Sequence, residues 1–220
     1  MALGFLTSRR ATINPKFTEG LWKEYVVNSF GNFSRRRGVW APSRLQVWKE
    51  TIQAGDVVVA PAEGVYGYCC DPFNERAVHK IFSLKQRASS KGLIVLCSTI
   101  FDVRRVADIS GPLQRDILKA MNEHWPGAVT LILPAKESAP DYLTGGNGTV
   151  AVRIPSAEYM HEYLAKWRGP LVSTSLNISG QTPARTASAI PYGPVALKYP
   201  ETLPGTSSRI YNVITGTWER

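Results

Sequence analysis

Residues 170–180 read Pro-Leu-Val-Ser-Thr-Ser-Leu-Asn-Ile-Ser-Gly, a short apolar run that ends in hydroxyl and amide side chains. Because unpaired polar groups are costly in a core, this composition favours a strand that delivers a polar loop to the rim of a sheet. Open α/β sheets bind ligands at that rim, and Ser and Asn side chains fit around phosphate or carboxylate oxygens. The same residues are also typical of a simple turn, so the segment alone leaves both interpretations open.

Outward from this segment, strand and helix patterns alternate along one chain from residue 41 onward. Such interleaving around a single core predicts an α/β or α+β fold. The proline-rich stretch 181–208 is predicted to be an irregular connection. Helices are predicted over residues 43–53, from an Asn74 cap to about Leu84, over 112–124, and from a Ser156 cap to about Trp167. Strands are predicted over residues 57–60, 93–97, 129–133, 149–154, 170–174 and 210–214, with loops at 61–67 and 144–148.

The 220-residue chain carries a net charge of +9. Its first 40 residues contain seven basic residues and only two acidic ones, so they contribute +5 of that charge. We predict a basic extension over residues 1–40, with one short helix near Leu21–Ser29, and one domain over residues 41–220. Arg35-Arg36-Arg37 is either an RNA contact or a solvated face. A basic N-terminus is also typical of an organelle transit peptide, but Glu19 and Glu24 favour a cytoplasmic protein.

Cations and hydroxyls are concentrated in Lys85-Gln86-Arg87-Ala88-Ser89-Ser90-Lys91, directly after a predicted helix. Lys85 and Arg87 either complement the helix C-terminal dipole or form a clamp for an anion. The sequence has neither a P-loop nor a dinucleotide fingerprint. The histidines and the three cysteines have no metal-ligand spacing, so no protein-built metal site is predicted. Glu63, Asp71 and Asp141 are acid–base candidates, and the sequence singles out none of them.

Five motifs follow one another in a distinctive order: 61–67, 85–87, 125–130, 151–153 and 173–177. In this order and spacing the chain resembles the YrdC/Sua5 family, the threonylcarbamoyl-AMP synthases, over about residues 41–220. It is most similar to the short, single-domain bacterial form. The tail from Ser207 to Arg220 resembles that family's final strand and closing arginine.

The resemblance implies a YrdC-like twisted, open, mixed sheet flanked by helices, with a basic central cavity. It implies an L-threonylcarbamoyladenylate synthase, a nucleotidyltransferase that converts L-threonine, bicarbonate and ATP to threonylcarbamoyl-AMP and pyrophosphate. Mg²⁺ is expected on the ATP phosphates. A tRNA-modifying threonylcarbamoyl transferase complex then uses the product for t6A37 modification, and binding of tRNA or double-stranded RNA is a further expected interaction. No membrane partner is expected.

The resemblance also assigns site residues. Lys85 and Arg87 occupy the Lys-x-Arg motif, and are expected to act in catalysis by holding the threonine carboxylate, the ATP phosphates, or both. Ser175 and Asn177 occupy the Ser-x-Asn motif that contacts nucleotide and intermediate. The remaining substrate- and nucleotide-binding positions are Thr130, Arg153, Ser173, Arg185 and Ser208.

Two positions depart from the family pattern. Ala62 stands where the family usually has a threonine that helps to bind the amino-acid substrate, and Leu176 replaces a small residue between Ser175 and Asn177. These departures keep two alternatives open. One is a catalytically divergent YrdC-like protein that binds RNA, and the other is a carbamoyl-adenylate enzyme that uses another acceptor.

Overall fold

The computed structural model describes residues 38–88 and 92–220, and helices and strands interleave through both ranges. The helices are α1 (Pro42–Gln53), α2 (Glu75–Lys85), α3 (Ile100–Val103), α4 (Gln114–His124), α5 (Asp141–Thr144) and α6 (Glu158–Trp167). The strands are β1 (Val58–Pro61), β2 (Tyr66–Cys70), β3 (Ile94–Leu96), β4 (Val129–Pro134), β5 (Thr149–Arg153), β6 (Leu171–Ser175), β7 (Arg209–Asn212) and β8 (Thr217–Trp218).

The strands of the described ranges form one open mixed sheet in the order β1-β2-β6-β3-β5-β4-β7-β8. The β3–β5 and β4–β7 pairs are parallel, and the other neighbours are antiparallel. Strand β6 lies between β2 and β3, where Ser173 is paired with Cys69 on one side and Ile94 on the other. The predicted fold class is therefore confirmed, and the polar end of residues 170–180 follows a strand in the interior of the sheet.

One core fills the space between the sheet and the helices α1 and α6. Pro42 occupies the first turn of α1, where its missing N–H is not needed. Leu45, Trp48 and Ile52 recur at helical spacing and are buried, and the Trp48 Nε1–H donates to Val59 O at 3.2 Å. Because Trp48 is fully buried, truncation to alanine should cost about 3–5 kcal/mol of unfolding free energy.

Helix α2 forms as its sequence predicts. Asn74 caps it, because the Asn74 Oδ1 accepts from the Ala77 N–H at 3.0 Å. Ala77, Val78, Ile81 and Phe82 are buried along one face, and the helix packs against β2. Gln86 ends it in the left-handed region, at φ 48°, which turns the chain sharply after Lys85.

Three local predictions are wrong. Ser156 does not cap α6: Ala157 holds the N-cap position without a side-chain bond, and the Ser156 hydroxyl donates to Glu63 at 2.8 Å. The loop predicted over residues 61–67 ends early, because β2 begins at Tyr66. Helix α4 begins at Gln114 rather than at Pro112. In the first two cases long-range pairing decided the local structure.

Several predictions lie outside the described residues. These are the helix near Leu21–Ser29, the run Arg35–Arg37, and the cluster Ser89, Ser90 and Lys91. The division at residues 40 and 41 stays a prediction. Within residues 38–88 and 92–220, no helix has the length and apolar character that a membrane crossing requires.

Candidate functional site

A cavity of about 240 Å³ opens where β2, β3, β5 and β6 meet the C-terminal segment. Three arginines and six serine or threonine side chains line it, and no acidic residue is among the lining residues that the structure describes. Such a lining suits an anionic ligand, which arginine binds through paired N–H donors and hydroxyls bind as neutral partners. The charged and hydroxyl lining residues are Arg87, Arg153, Arg220, Ser173, Ser175, Ser208 and Thr206, together with Thr174 and Ser207 in the wall.

Lys85 lies behind the wall of the cavity, in the last turn of α2, and is 2% exposed. Its Nζ donates to Ser175 O at 2.5 Å, to Asn177 O at 3.0 Å and to Asn177 Oδ1 at 2.9 Å. Burial lowers the pKa of Lys85 from its ordinary 10.5 to about 8, and the neighbouring Arg87 charge acts in the same direction. At neutral pH the ammonium therefore stays mainly charged and has oxygen acceptors for its protons.

The loop after β6 is held in shape by its own side chains and by Lys85. The Ser175 hydroxyl donates to Asn177 Oδ1 at 2.6 Å, and the Asn177 amide donates to Gln181 O at 2.6 Å. The Ser179 N–H donates to Lys85 O at 2.9 Å, which fixes the loop to the C-terminus of α2. Lys85, Ser175 and Asn177 thus form one hydrogen-bonded unit that joins the Lys-x-Arg motif to the Ser-x-Asn motif.

Arg153 is buried in the cavity wall at the end of β5 and forms an ion pair with Glu63. Its Nε–H donates to Gly127 O at 2.9 Å, and burial lowers its pKa to about 10. The other oxygen of Glu63 accepts from the Ser156 N–H at 2.7 Å and the Ala157 N–H at 2.9 Å. Because these partners occupy both carboxylate oxygens, the structure favours an anchoring role for Glu63 over an acid–base one.

Three other predicted side chains, Arg87, Thr130 and Ser208, lie at two depths. Arg87 follows the left-handed Gln86, lines the cavity, and donates from Nη2 to Gly92 O at 2.9 Å; burial lowers its pKa. Thr130 is fully buried one layer below, with its Oγ1 at 2.9 Å from Ser208 Oγ. Ser208 itself lines the cavity.

Asn177 and Arg185 line a second, more open cleft of about 460 Å³, which Leu176 also borders. The cleft and the cavity share no lining residue, but Ser175 lines the cavity and the next two residues, Leu176 and Asn177, line the cleft. Of the predicted set, Arg87, Arg153, Ser173, Ser175 and Ser208 line the cavity, Lys85 and Thr130 stand behind it, and Asn177 and Arg185 lie beside it. Leu176, which is buried, is among the lining residues of the second cleft and not of the first.

The set of site residues named from the sequence includes Ser208 but omits Arg220 and the segment over residues 203–207. Arg220 lines the cavity, and its Nε–H donates to Ser208 O at 3.0 Å. Gly64 approaches this segment so closely that a side chain at that position would overlap the Thr206 carbonyl, and the Gly205 N–H donates to Gly64 O at 2.8 Å. The resemblance of the tail to the family's final strand and closing arginine could have identified Arg220 as a site residue. No local sequence pattern indicates that Gly64 lies against Thr206.

Across residues 38–88 and 92–220, no three His, Cys, Asp or Glu side chains lie together in a way that could hold a metal ion. The donor set of the cavity, cations and hydroxyls, suits the phosphates that carry a cation rather than the cation itself. A divalent ion bound to a triphosphate is therefore compatible with this lining.

Curated relatives resemble the chain over most of the folded domain. A threonylcarbamoyl-AMP synthase from Idiomarina loihiensis is 41% identical over 134 residues, which cover 61% of this chain and 72% of the relative. A protein of the same name from Stenotrophomonas maltophilia is 41% identical over 138 residues, with the same two coverages.

Solved structures share the fold. P. abyssi Sua5 complexed with L-threonine matches with a TM-score of 0.68 and 30% identity over 76% of this chain, which spans 50% of that longer protein. E. coli YciO matches with a TM-score of 0.64 over 77% of this chain and 83% of its own, at 19% identity, which supports the fold alone. The Sua5/YciO/YrdC family model, described as "Telomere recombination", matches residues 50–216, and the chain therefore belongs to that family.

Proposed function

We propose that this protein is a threonylcarbamoyl-AMP synthase. The observation that carries the proposal is the hydrogen-bonded unit of Lys85, Ser175 and Asn177 beside a cavity lined by Arg87, Arg153 and Arg220. The curated relatives bear that name, and the P. abyssi structure is described with L-threonine. Threonine and ATP are therefore the proposed substrates, with bicarbonate as the third.

The reaction brings several anions into one pocket. Threonine and bicarbonate give the threonine carbamate and water, and a carbamate oxygen then attacks the α-phosphorus of ATP. The new phosphorus–oxygen bond replaces the bond to the β-phosphate, so pyrophosphate leaves with the electron pair. The attacking carbamate is already an anion, so the attack itself needs no general base, which fits a cavity whose described lining residues include no carboxylate.

In the proposed mechanism this chain supplies position and positive charge. The arginines of the cavity neutralise the carboxylate of threonine and the phosphates of ATP. The Ser173 hydroxyl donates a hydrogen bond to a reactant oxygen, and Lys85 fixes the loop that carries Ser175, whose own hydroxyl donates to Asn177 Oδ1. Mg²⁺ is proposed to arrive on the ATP phosphates and to neutralise part of their charge.

The relatives' names give no support to the two alternatives, an RNA-binding protein without catalysis and an enzyme with another acceptor. A downstream tRNA-modifying complex, tRNA or double-stranded RNA contact and a cytoplasmic location remain proposals. The complex and the RNA contact follow from the proposed product, which needs an acceptor tRNA, and from the basic charge of the chain.

Pyrophosphate release from ATP tests the proposal. We expect release that requires both L-threonine and bicarbonate, with a much lower rate when serine replaces threonine. Release should fall strongly in Lys85→Met. It should persist in the control variant Lys80→Met, which changes an exposed lysine of α2 that forms a surface ion pair with Asp56. Folded protein that releases no pyrophosphate under these conditions would refute the proposal. A preferred amine other than threonine would instead favour the carbamoyl-adenylate enzyme that uses another acceptor.

A further inference from the structure

Strands β7 and β8 form a short hairpin at the edge of the sheet, and one of its faces carries an aromatic cluster. The Arg209 guanidinium lies over the Trp218 ring, 3.7 Å from its centroid. The Trp218 ring centroid is 5.1 Å from that of Tyr211 and 5.4 Å from that of His124, the last residue of α4. This cluster, Arg209, Tyr211, Trp218 and His124, fastens β8 to the rest of the domain.

The other face of the hairpin meets the cavity through Ile210 and Arg220. Regular pairing joins Tyr211 with Trp218 and Asn212 with Thr217. Continued without interruption, that register would place Arg220 opposite Arg209, and therefore on the face of the aromatic cluster.

The hydrogen bonds show that the register changes at this point. The Glu219 N–H donates to Ile210 O at 2.9 Å, while the Ile210 N–H donates to Arg220 O at 3.0 Å. Two residues, Glu219 and Arg220, thus oppose the single residue Ile210, which is the pattern of a β-bulge. A bulge reverses the alternation of faces, so Arg220 lies on the side of Ile210, where its Nε–H reaches Ser208 O at 3.0 Å.

We propose that Trp218 is a positioning residue that acts through Arg220. Its stack with Arg209 fixes the register of β8, and the bulge that follows aims the Arg220 guanidinium into the cavity to bind an anionic reactant. The inference rests on the proposed function for the identity of that reactant, which we take to be ATP.

A double-mutant cycle on ATP affinity tests this proposal. We expect Arg220→Ala to raise the Kd of ATP about tenfold or more, the effect of losing a charged hydrogen-bond donor. Trp218→Ala should raise it about three- to fivefold, the effect of losing the cation–π stack that holds the donor in place. Because Trp218 acts through Arg220, Trp218→Ala should add less than twofold in the Arg220→Ala background.

Two controls separate positioning from general destabilisation. Ile214→Ala changes an exposed residue in the turn of the same hairpin and should leave the Kd unchanged, and Trp218→Phe, which keeps an aromatic face, should restore the Kd to within about twofold of wild type. Equal effects of Trp218→Ala with and without Arg220 would overturn the proposal, as would an unchanged Kd in either single variant. A wild-type protein that binds ATP but has no activity would refute the proposed function, and the Kd values of this cycle could still be measured.

Discussion

Replacement of Lys85 by methionine removes an ammonium group while it keeps a side chain of similar length. Ser175 O, Asn177 O and Asn177 Oδ1 lose the donor that now lies 2.5–3.0 Å from each of them. An acceptor left without its donor costs about 1–3 kcal/mol. The loop is half-buried, so water reaches part of it, and burial already disfavours the charged amine by lowering its pKa to about 8.

We therefore expect the unfolding free energy to fall by about 1–3 kcal/mol. For a chain of this size that lowers the Tm by about 2–4 °C for each kcal/mol. The expected loss in kcat/KM for ATP is about 10- to 100-fold, because the variant loses a charged donor and releases the Ser175 loop. Pyrophosphate release at neutral pH measures the kinetic effect, and thermal unfolding measures the stability.

Lys80→Met is the matched control, because it makes the same chemical change at an exposed position of the same helix. Its ion pair with Asp56 lies at the surface, where such pairs contribute about 0–1 kcal/mol. We expect kcat/KM within about twofold of wild type for this variant. If Lys85→Met behaved like Lys80→Met in both measurements, the role assigned to the buried ammonium would be wrong.

Three further predictions concern the same cavity. The pKa of Lys85 is about 8 in the folded protein and ordinarily 10.5, so kcat/KM for ATP should decline as the pH rises through about 8 and the ammonium loses its proton. Between pH 8 and 10.5 the unfolded state binds more protons than the folded state. The unfolding free energy should therefore rise with pH in this range in wild type, and rise less in Lys85→Met. Ala62→Thr should lower the KM for threonine about two- to tenfold by one added hydrogen bond, with Ala62→Val as the control, and equal KM values for the two variants would contradict this. Glu63→Gln leaves Arg153 without its buried counter-ion and should cost about 3 kcal/mol in thermal unfolding, whereas a loss no larger than that of the exposed variant Glu75→Gln would argue against a structural ion pair.

Local sequence patterns correctly predicted the helices and strands that are determined by residues within the same segment. The Asn74 cap, the buried face of α2 and the apolar run of β4 appear where the pattern places them. The register of β6 between β2 and β3 needs partners far along the chain, and no local pattern predicts them. Strand β2, Tyr-Gly-Tyr-Cys-Cys, lacks a run of β-branched residues, and its pairing with β6 makes it a strand.

The same distinction separates the site residues. Lys85, Arg87, Ser175 and Asn177 could be named from short motifs, because each motif is contiguous in the sequence. Sequence reasoning gave Ser156 the wrong role, because its partner Glu63 lies 93 positions away. The face of the hairpin on which Arg220 lies depends on a β-bulge, which is evident from the hydrogen bonds of the hairpin and not from the sequence.

The most direct test of the account is the identity of the product. Wild-type protein should be incubated with ATP, L-threonine and isotope-labelled bicarbonate, and the adenylates should be resolved by mass spectrometry. We predict a threonylcarbamoyl-adenylate that carries the label, formed in equal amount with pyrophosphate and strongly reduced in Lys85→Met. Pyrophosphate release without a labelled adenylate, or an adenylate that forms without threonine, would contradict the account.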